Sequence, residues 1–287
     1  MKIGATEASE IAGLLRDAAQ REILPRFRRL ASGDIRTKSS PLDLVTEADE
    51  AAERVLTSAL AARFPTAMIL SEEAVAADPS LLVRMVDAPL CFVLDPVDGT
   101  ANFAAGVPLF GVMLAAVHHG ETIAGWIYDP MGDDTVIALR GEGAWVEGEG
   151  RARHDCRVAA ACPVGRMVGA VSWSFLSPAR KAHLLPRLAQ LAGTLNFRCA
   201  AHEYRLAATG GLHALFYNKL MPWDHAAGVL IHAEAGGYSA QFDGSVYSPR
   251  KHAGGLICAP DEAGYLAVRD LLLLDEGHEQ LRSNGII

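Results

Sequence analysis

The sequence predicts a mixed α/β fold in which helices and sheets alternate in layers. Three features carry that expectation: two amphipathic helices near the N-terminus, a run of short apolar strands separated by turn residues, and a second half that alternates strand and helix. With 287 residues, the chain is long enough for one large domain or two layered halves sharing a core.

Thr6 precedes a helical pattern in which Ile11, Leu14, Leu15 and Ala18 share one face. Arg26 to Lys38 is basic and polar and reads as a connection. A second helix starts near Thr46, whose hydroxyl can cap it, with Asp49 three residues on in the capping-box position. Its core face is Ala52, Val55, Leu56, Ala59 and Leu60, and Pro65 ends it. Strands then follow at Ala67 to Leu70, Leu90 to Leu94, Phe110 to His118, Thr122 to Tyr128 and Thr135 to Leu139. His119-Gly120 and Pro130 to Asp134 are turn chemistry, so the last three form an antiparallel meander.

Gly148 to Cys156 is polar and glycine-rich, which sets an expected boundary between residues 1–150 and 151–287 of one compact catalytic unit. Beyond it, Val168 to Trp173, His213 to Tyr217 and Gly255 to Cys258 suit strands. Pro178 to Leu191, Glu203 to Ala208, Trp223 to Glu234 and Asp261 to Leu274 suit helices.

Composition narrows the function. Half the residues are hydrophobic and 21% are charged, as in a well-buried globular protein. The formal net charge of -8 argues against nucleic acid and anionic membrane as partners, and an anionic substrate would need a local source of positive charge. Bound metal cations are one candidate. The five cysteines, Cys91, Cys156, Cys162, Cys199 and Cys258, lack CxxC spacing and read as free thiols of a reducing cytoplasm. Met1 to Arg29 carries charges throughout, unlike a signal peptide, and no apolar run suits a membrane span.

The segment that carries chemistry is Phe92-Val93-Leu94-Asp95-Pro96-Val97-Asp98-Gly99-Thr100. A buried strand delivers Asp95 to its end, Pro96 turns the chain, and a tight turn can point Asp95 and Asp98 into one cavity. Bare, the pair would repel; a hard divalent cation with oxygen ligands removes that cost. Gly99 lets the backbone approach a ligand closely, and a helical turn starting at Thr100 would offer free N–H groups to phosphate. Read singly, Asp95 to Gly99 is better taken as an ordinary surface turn, Glu72-Glu73 as a solvated face and Asp224 as a helix cap, while Asp49 could simply be a capping-box acid.

Taken together these segments resemble the inositol monophosphatase family. The resemblance rests on Asp43-Leu44-Val45-Thr46-Glu47-Ala48-Asp49, on Glu72-Glu73, on Asp95 to Phe103, and on Trp223-Asp224-His225-Ala226-Ala227-Gly228, in the family's order and at similar separations. It implies a layered α-β-α-β-α sandwich, similar to that of fructose bisphosphatases, and hydrolysis of a small phosphorylated metabolite such as inositol monophosphate. It implies two or three magnesium ions, held by Glu72, Asp95, the Val97 carbonyl, Asp98 and Asp224. Thr100 and Asp49 would accept or relay the proton of the attacking water, with Glu72 assisting as ligand to a third ion. Gly99, Thr100, Asp98, Asp224 and Ala200 would contact substrate, and Lys38 corresponds to a lysine near the site. Lithium sensitivity and a homodimer are further implications.

Two positions depart from the pattern. Ser71 stands where the family usually has glycine, which is tolerable if φ is negative. Tyr217, seven residues before Asp224, replaces the glutamate that recognises inositol hydroxyls, and cannot supply the same charged acceptor. The natural substrate is therefore open: histidinol phosphate, fructose bisphosphate or an adenosine bisphosphate are alternatives, as is a regulatory role on RNA machinery. His225 and His232, seven apart on one helix, lack an obvious third ligand and read as packing residues, although His225 neighbours Asp224. Ser172 and Ser174 lack a nucleophile-elbow setting.

Overall fold

The computed structural model describes residues 2–38 and 44–273. Asp43, at the head of the first quoted segment, and Leu274, expected to end the last helix, lie outside the described residues. Helix α1 (Ala5–Ala18) continues through a π turn at Ala19–Ile23 and a 3-10 turn at Leu24–Arg26, where Pro25 sits. It buries Ala8, Ile11, Ala12, Leu15 and Ala18; of the predicted face only Leu14 is half-buried rather than buried. The connection that follows is not wholly irregular: Ile35–Thr37 (β1) pairs antiparallel with Leu44–Thr46 (β2). Helix α2 (Glu47–Arg63) starts with the predicted capping box, and Leu56 and Leu60 are its buried anchors while Val55 and Ala59 are half-buried.

The main sheet has seven strands in sequence order: β3 (Met68–Ser71), β4 (Leu90–Asp98), β5 (Gly111–His118), β6 (Glu121–Asp129), β7 (Asp134–Leu139), β8 (Gly143–Gly148) and β9 (His154–Asp155). From β4 onward every pairing is antiparallel, so the meander is longer than expected and runs past residue 150. Strand β8 is bracketed by glycines at both ends, and that turn chemistry hid it in the sequence. Between β3 and β4 lie α3 (Glu72–Ala77) and α4 (Ser80–Asp87). Short helix α5 (Thr100–Ala104) follows β4. The second sheet has the order β11-β10-β12-β14-β13, from β10 (Val168–Val171), β11 (Gly193–Leu195), β12 (Ala214–Tyr217), β13 (Tyr238–Gln241) and β14 (Leu256–Ala259). Its helices are α6 (Pro178–Arg187), α7 (Ala200–Ala208), α8 (Pro222–Glu234) and α9 (Glu262–Leu273).

Strand alternation sorts the layers, because successive side chains point to opposite faces. Phe92 and Leu94 pack with Ile11, Leu15, Leu56 and Leu60 of α1 and α2. Cys91 and Val93, one residue out of step, pack with Tyr204, Ala226 and Leu230 of α7 and α8, and so do Leu215 and Cys258 from the second sheet. Phe216 and Ile257 face outward to Tyr265 and Val268 of α9 and Leu184 of α6. The order is therefore α1/α2, seven-stranded sheet, α7/α8, five-stranded sheet, α6/α9: the layered α-β-α-β-α sandwich. Gly125 lets α8 settle on β6, since a Cβ there would stand 2.9 Å from the Ala227 carbonyl oxygen. All five cysteines are free thiols, four of them buried. Among the described residues no helix is long and apolar enough to cross a membrane.

Candidate active site

Asp95 shares the face of β4 that carries Cys91 and Val93, so its carboxyl enters the α7/α8 layer rather than solvent. The strand does not stop at Asp95 as expected. Its pairing with β5 becomes irregular between Asp95 and Asp98 and resumes at Asp98, with Pro96 in the gap. The irregularity releases Asp98 toward the N-terminus of α7, where Asp98 Oδ2 accepts from the Ala201 N–H (2.6 Å) and the Cys199 thiol (3.1 Å). Asp224 lies in the first turn of α8. Oxygen atoms of Asp95, Asp98 and Asp224 all lie within 4.8 Å of one another. Glu72 lines the same pocket. It does not close β3 as read from the sequence; it opens α3, which Ser71 caps through the Ala74 N–H (3.2 Å), at φ -124°. Glycine is thus not required at position 71.

The cluster is electrostatically crowded. Burial, then Glu72, Asp98 and Asp224, push the Asp95 carboxyl well above its ordinary value. Asp224 is raised by burial, Glu72 and Asp98, with Lys219 and Lys38 opposing. Asp98 is pushed up to about 6 by burial, tempered by its bonds to Ala201 and Cys199. Lys38 stands beside the site: its Nζ donates to Glu72 (2.8 Å) and Glu73 (2.5 Å), and these two carboxylates outweigh burial to keep it charged. A buried set of oxygen donors with surplus negative charge fits a hard divalent cation, and Glu72, Asp95, Asp98 and Asp224 fit the role of holding one.

Beside the carboxylates sits a hydroxyl–carboxyl pair. Thr100 Oγ1 lies 3.1 Å from Asp49 Oδ1 and 2.9 Å from the Val97 carbonyl oxygen, able to donate to either. Asp49 Oδ2 meanwhile accepts from the Thr46 N–H (2.9 Å) and hydroxyl (2.5 Å). The capping box at the start of α2 and the contact with Thr100 therefore use different oxygens of one carboxyl, and burial pushes it up to about 7 against those bonds. Gly99 has φ 87°, and a Cβ would meet the Leu109 carbonyl oxygen at 2.8 Å and Cys199 at 3.2 Å. The chain's own packing thus requires glycine here, and Gly99 also lines the pocket.

Ala200 and Tyr217 line the pocket as well. The Tyr217 hydroxyl is buried against the Glu203 carboxyl without a hydrogen bond of good geometry. Glu203, missed in the sequence, accepts from the Phe197 N–H (3.0 Å) and is pushed up to about 7 by burial. His225 is spoken for: its ring bonds the Tyr204 hydroxyl (3.0 Å) and the Lys219 carbonyl (2.7 Å), and burial lowers it to about 4. His232 bonds Ser239 instead (3.0 Å), so the two histidines share no site. Phe175, Arg198 and Lys219 also border the pocket and had no signal in a single sequence: the two cations are ordinary surface residue types, and a lone phenylalanine reads as core.

Comparison with known proteins agrees with this geometry. The family model described as the inositol monophosphatase family matches residues 6–272. An inositol-1-monophosphatase of Mycobacterium bovis is 33% identical over 234 residues, covering 80% of this chain and 79% of its own. A protein of Pasteurella multocida named Nus factor SuhB is 31% identical over 208 residues, 72% of this chain and 75% of its own. Among solved structures, the extragenic suppressor protein suhB of Bartonella henselae superposes with a TM-score of 0.78 at 26% identity, covering 93% of this chain and 99% of that one.

Proposed function

The chain belongs to the inositol monophosphatase family of metal-dependent phosphoric monoester hydrolases, and from that premise we propose that it hydrolyses a small phosphate ester of a polyol or sugar, such as inositol monophosphate, using magnesium. The observation that carries this reading is the convergence of Asp95, Asp98 and Asp224 within 4.8 Å beside the Thr100–Asp49 pair. Glu72, Asp95, Asp98, Asp224 and the Val97 carbonyl would hold two or three ions. When bound, the ions would activate the attacking water and neutralise charge on the phosphoryl and leaving oxygens.

The protein's own groups account for the rest. Thr100 Oγ1 can take a proton from the attacking water while passing its own to Asp49 Oδ1, 3.1 Å away. An Asp49 carboxyl titrating at about 7 is matched to that transfer near neutral pH. The backbone N–H groups of Gly99 and Thr100 would be offered to the phosphate, and Ala200 and Tyr217, which line the pocket, would border the alcohol portion. Lys38 positions Glu72 through its 2.8 Å bond. Residues 1–150 supply most ligands and residues 151–287 supply Asp224 and the substrate wall. A homodimer in the cytoplasm and inhibition by lithium complete the reading; free cysteines are consistent with a reducing compartment.

The test is phosphate release from a panel of monoesters, with and without magnesium, for the wild-type protein and Asp95→Asn. Turnover that survives complete removal of divalent ions overturns the reading, as does a panel with no substrate. The relative named Nus factor supports a second reading, a regulatory role in RNA machinery. Full rescue of a deletion phenotype by Asp95→Asn would favour it.

A further inference from the structure

The pocket is acidic at its base and cationic at its mouth. Arg198 and Lys219 border it, both exposed, in a chain of formal net charge -8. Among the described residues neither is held in an ion pair. Each is nevertheless fixed in place. Arg198 has a left-handed backbone (φ 53°), which costs a non-glycine residue energy, and its N–H donates to Asn196 Oδ1 (3.1 Å). Its guanidinium donates to Asn102 Oδ1 (2.8 Å), a buried amide whose own Nδ2 is held by the Leu109 and Phe197 carbonyls. One guanidinium edge is thus anchored, and a guanidinium has five N–H groups to offer.

Lys219 is held at its backbone, where its carbonyl accepts from the His225 ring (2.7 Å). Its Nζ lies 5.6 Å from the ring centroid of Phe175, which is itself 55% exposed. The Asn218 amide donates to the Ser172 carbonyl (3.0 Å) and so ties the Phe175 loop to the Lys219 segment. An anchored guanidinium and an ammonium lying over an exposed ring, both exposed on one pocket, do not suit a neutral polyol, which asks for hydroxyl acceptors. They suit an anion, bound by charge-assisted hydrogen bonds. The scissile phosphate does not need them if it is held at the buried carboxylate cluster.

We infer that Arg198 and Lys219 select phosphate esters whose alcohol portion carries a second anionic group, a phosphate or a carboxylate, placed at the mouth beside Phe175. This rests on the phosphatase reading above and deepens it.

The test compares kcat/KM for glycerol 2-phosphate and inositol 1-phosphate with that for fructose 1,6-bisphosphate and 3-phosphoglycerate, all with saturating magnesium. The doubly anionic esters are expected to be preferred, the bisphosphate and the carboxylate arms showing which second group is taken. Lys219→Ala and Arg198→Ala should each cut that preference ratio about tenfold, mainly through KM, and Lys219→Arg should restore most of it. Raising ionic strength should erode the wild-type preference. Equal use of neutral and anionic esters overturns the inference while leaving the phosphatase reading intact. Equal losses on both substrate classes also overturn it, because the cations would then serve the scissile phosphate. No phosphate release from any ester refutes the phosphatase reading itself.

Discussion

Replacing Asp95 by asparagine should abolish turnover and yet stabilise the metal-free protein. Asparagine keeps the Oδ1 that accepts the Val97 N–H at 3.1 Å, so the local backbone bond survives. What disappears is one charge from a set whose oxygens lie within 4.8 Å of one another. At an effective dielectric of about 20, two unit charges at that distance repel by about 3.5 kcal/mol. The cluster can escape by holding a proton, but near neutral pH that too costs free energy, because the ordinary carboxyl value is 3.8. The metal-free wild type therefore carries a burden of a few kcal/mol that the variant lacks. Melting of chelator-treated protein should rise by roughly 4–10 °C in Asp95→Asn, at about 2 °C per kcal/mol for a chain of this size. Magnesium should then raise the wild-type midpoint and do little for the variant. The pH dependence has a definite sign. Folding raises the carboxyl's pKa, so the folded state binds more protons, and metal-free stability falls as pH rises above 3.8. That slope should be shallower in the variant. A metal-free variant that melts at or below wild type, with an unchanged response to magnesium, would refute the crowded-carboxylate account.

Thr100→Val should lower kcat by roughly 10²–10⁴-fold with little change in melting, measured by phosphate release and thermal denaturation, because it removes the only hydroxyl bonded to Asp49 Oδ1 among the described residues. His232 is held at about 4 against an ordinary 6.5 by burial, so acidification protonates the unfolded chain first and stability present above 6.5 is lost as pH falls toward 4. Urea unfolding should show His232→Gln losing about 2 kcal/mol less than wild type between about pH 7.5 and 5. Gly125→Ala should cost roughly 1–3 kcal/mol in the same assay, since its Cβ would press backbone atoms of Ala227 on α8. It should also weaken activation by magnesium, because α8 carries Asp224.

Local chemistry was legible in the sequence wherever it is local in the structure. The Thr46–Asp49 cap, the apolar faces of α1 and α2 and the hairpin turns of the meander each depend on residues a few positions apart, and hydrophobic period and turn chemistry report such contacts directly. The acidic residues were legible as a set only through resemblance. Alone, Glu72 and Asp224 are indistinguishable from a solvated pair and a helix cap. Strands β1, β2, β8, β9, β11 and β13 and helices α3 and α4 were missed; each is short, at most the 8 residues of α4, too few for a hydrophobic period to stand out.

The sequence by itself determined the longer helices and strands, the apolar face of the N-terminal helices, and which family the chain resembles. Only the tertiary structure decided that Asp98 and Asp224, 126 positions apart by their residue numbers, lie in one cavity. Only it showed that Gly99 answers to Leu109 and Cys199, that His225 is already satisfied, and that Arg198 and Lys219 face the same opening. The physical reason is the range of the forces involved. Propensity and capping act within a turn or two of the chain, whereas burial and electrostatic repulsion depend on distance in space, which exists only once β4, α7 and α8 have packed.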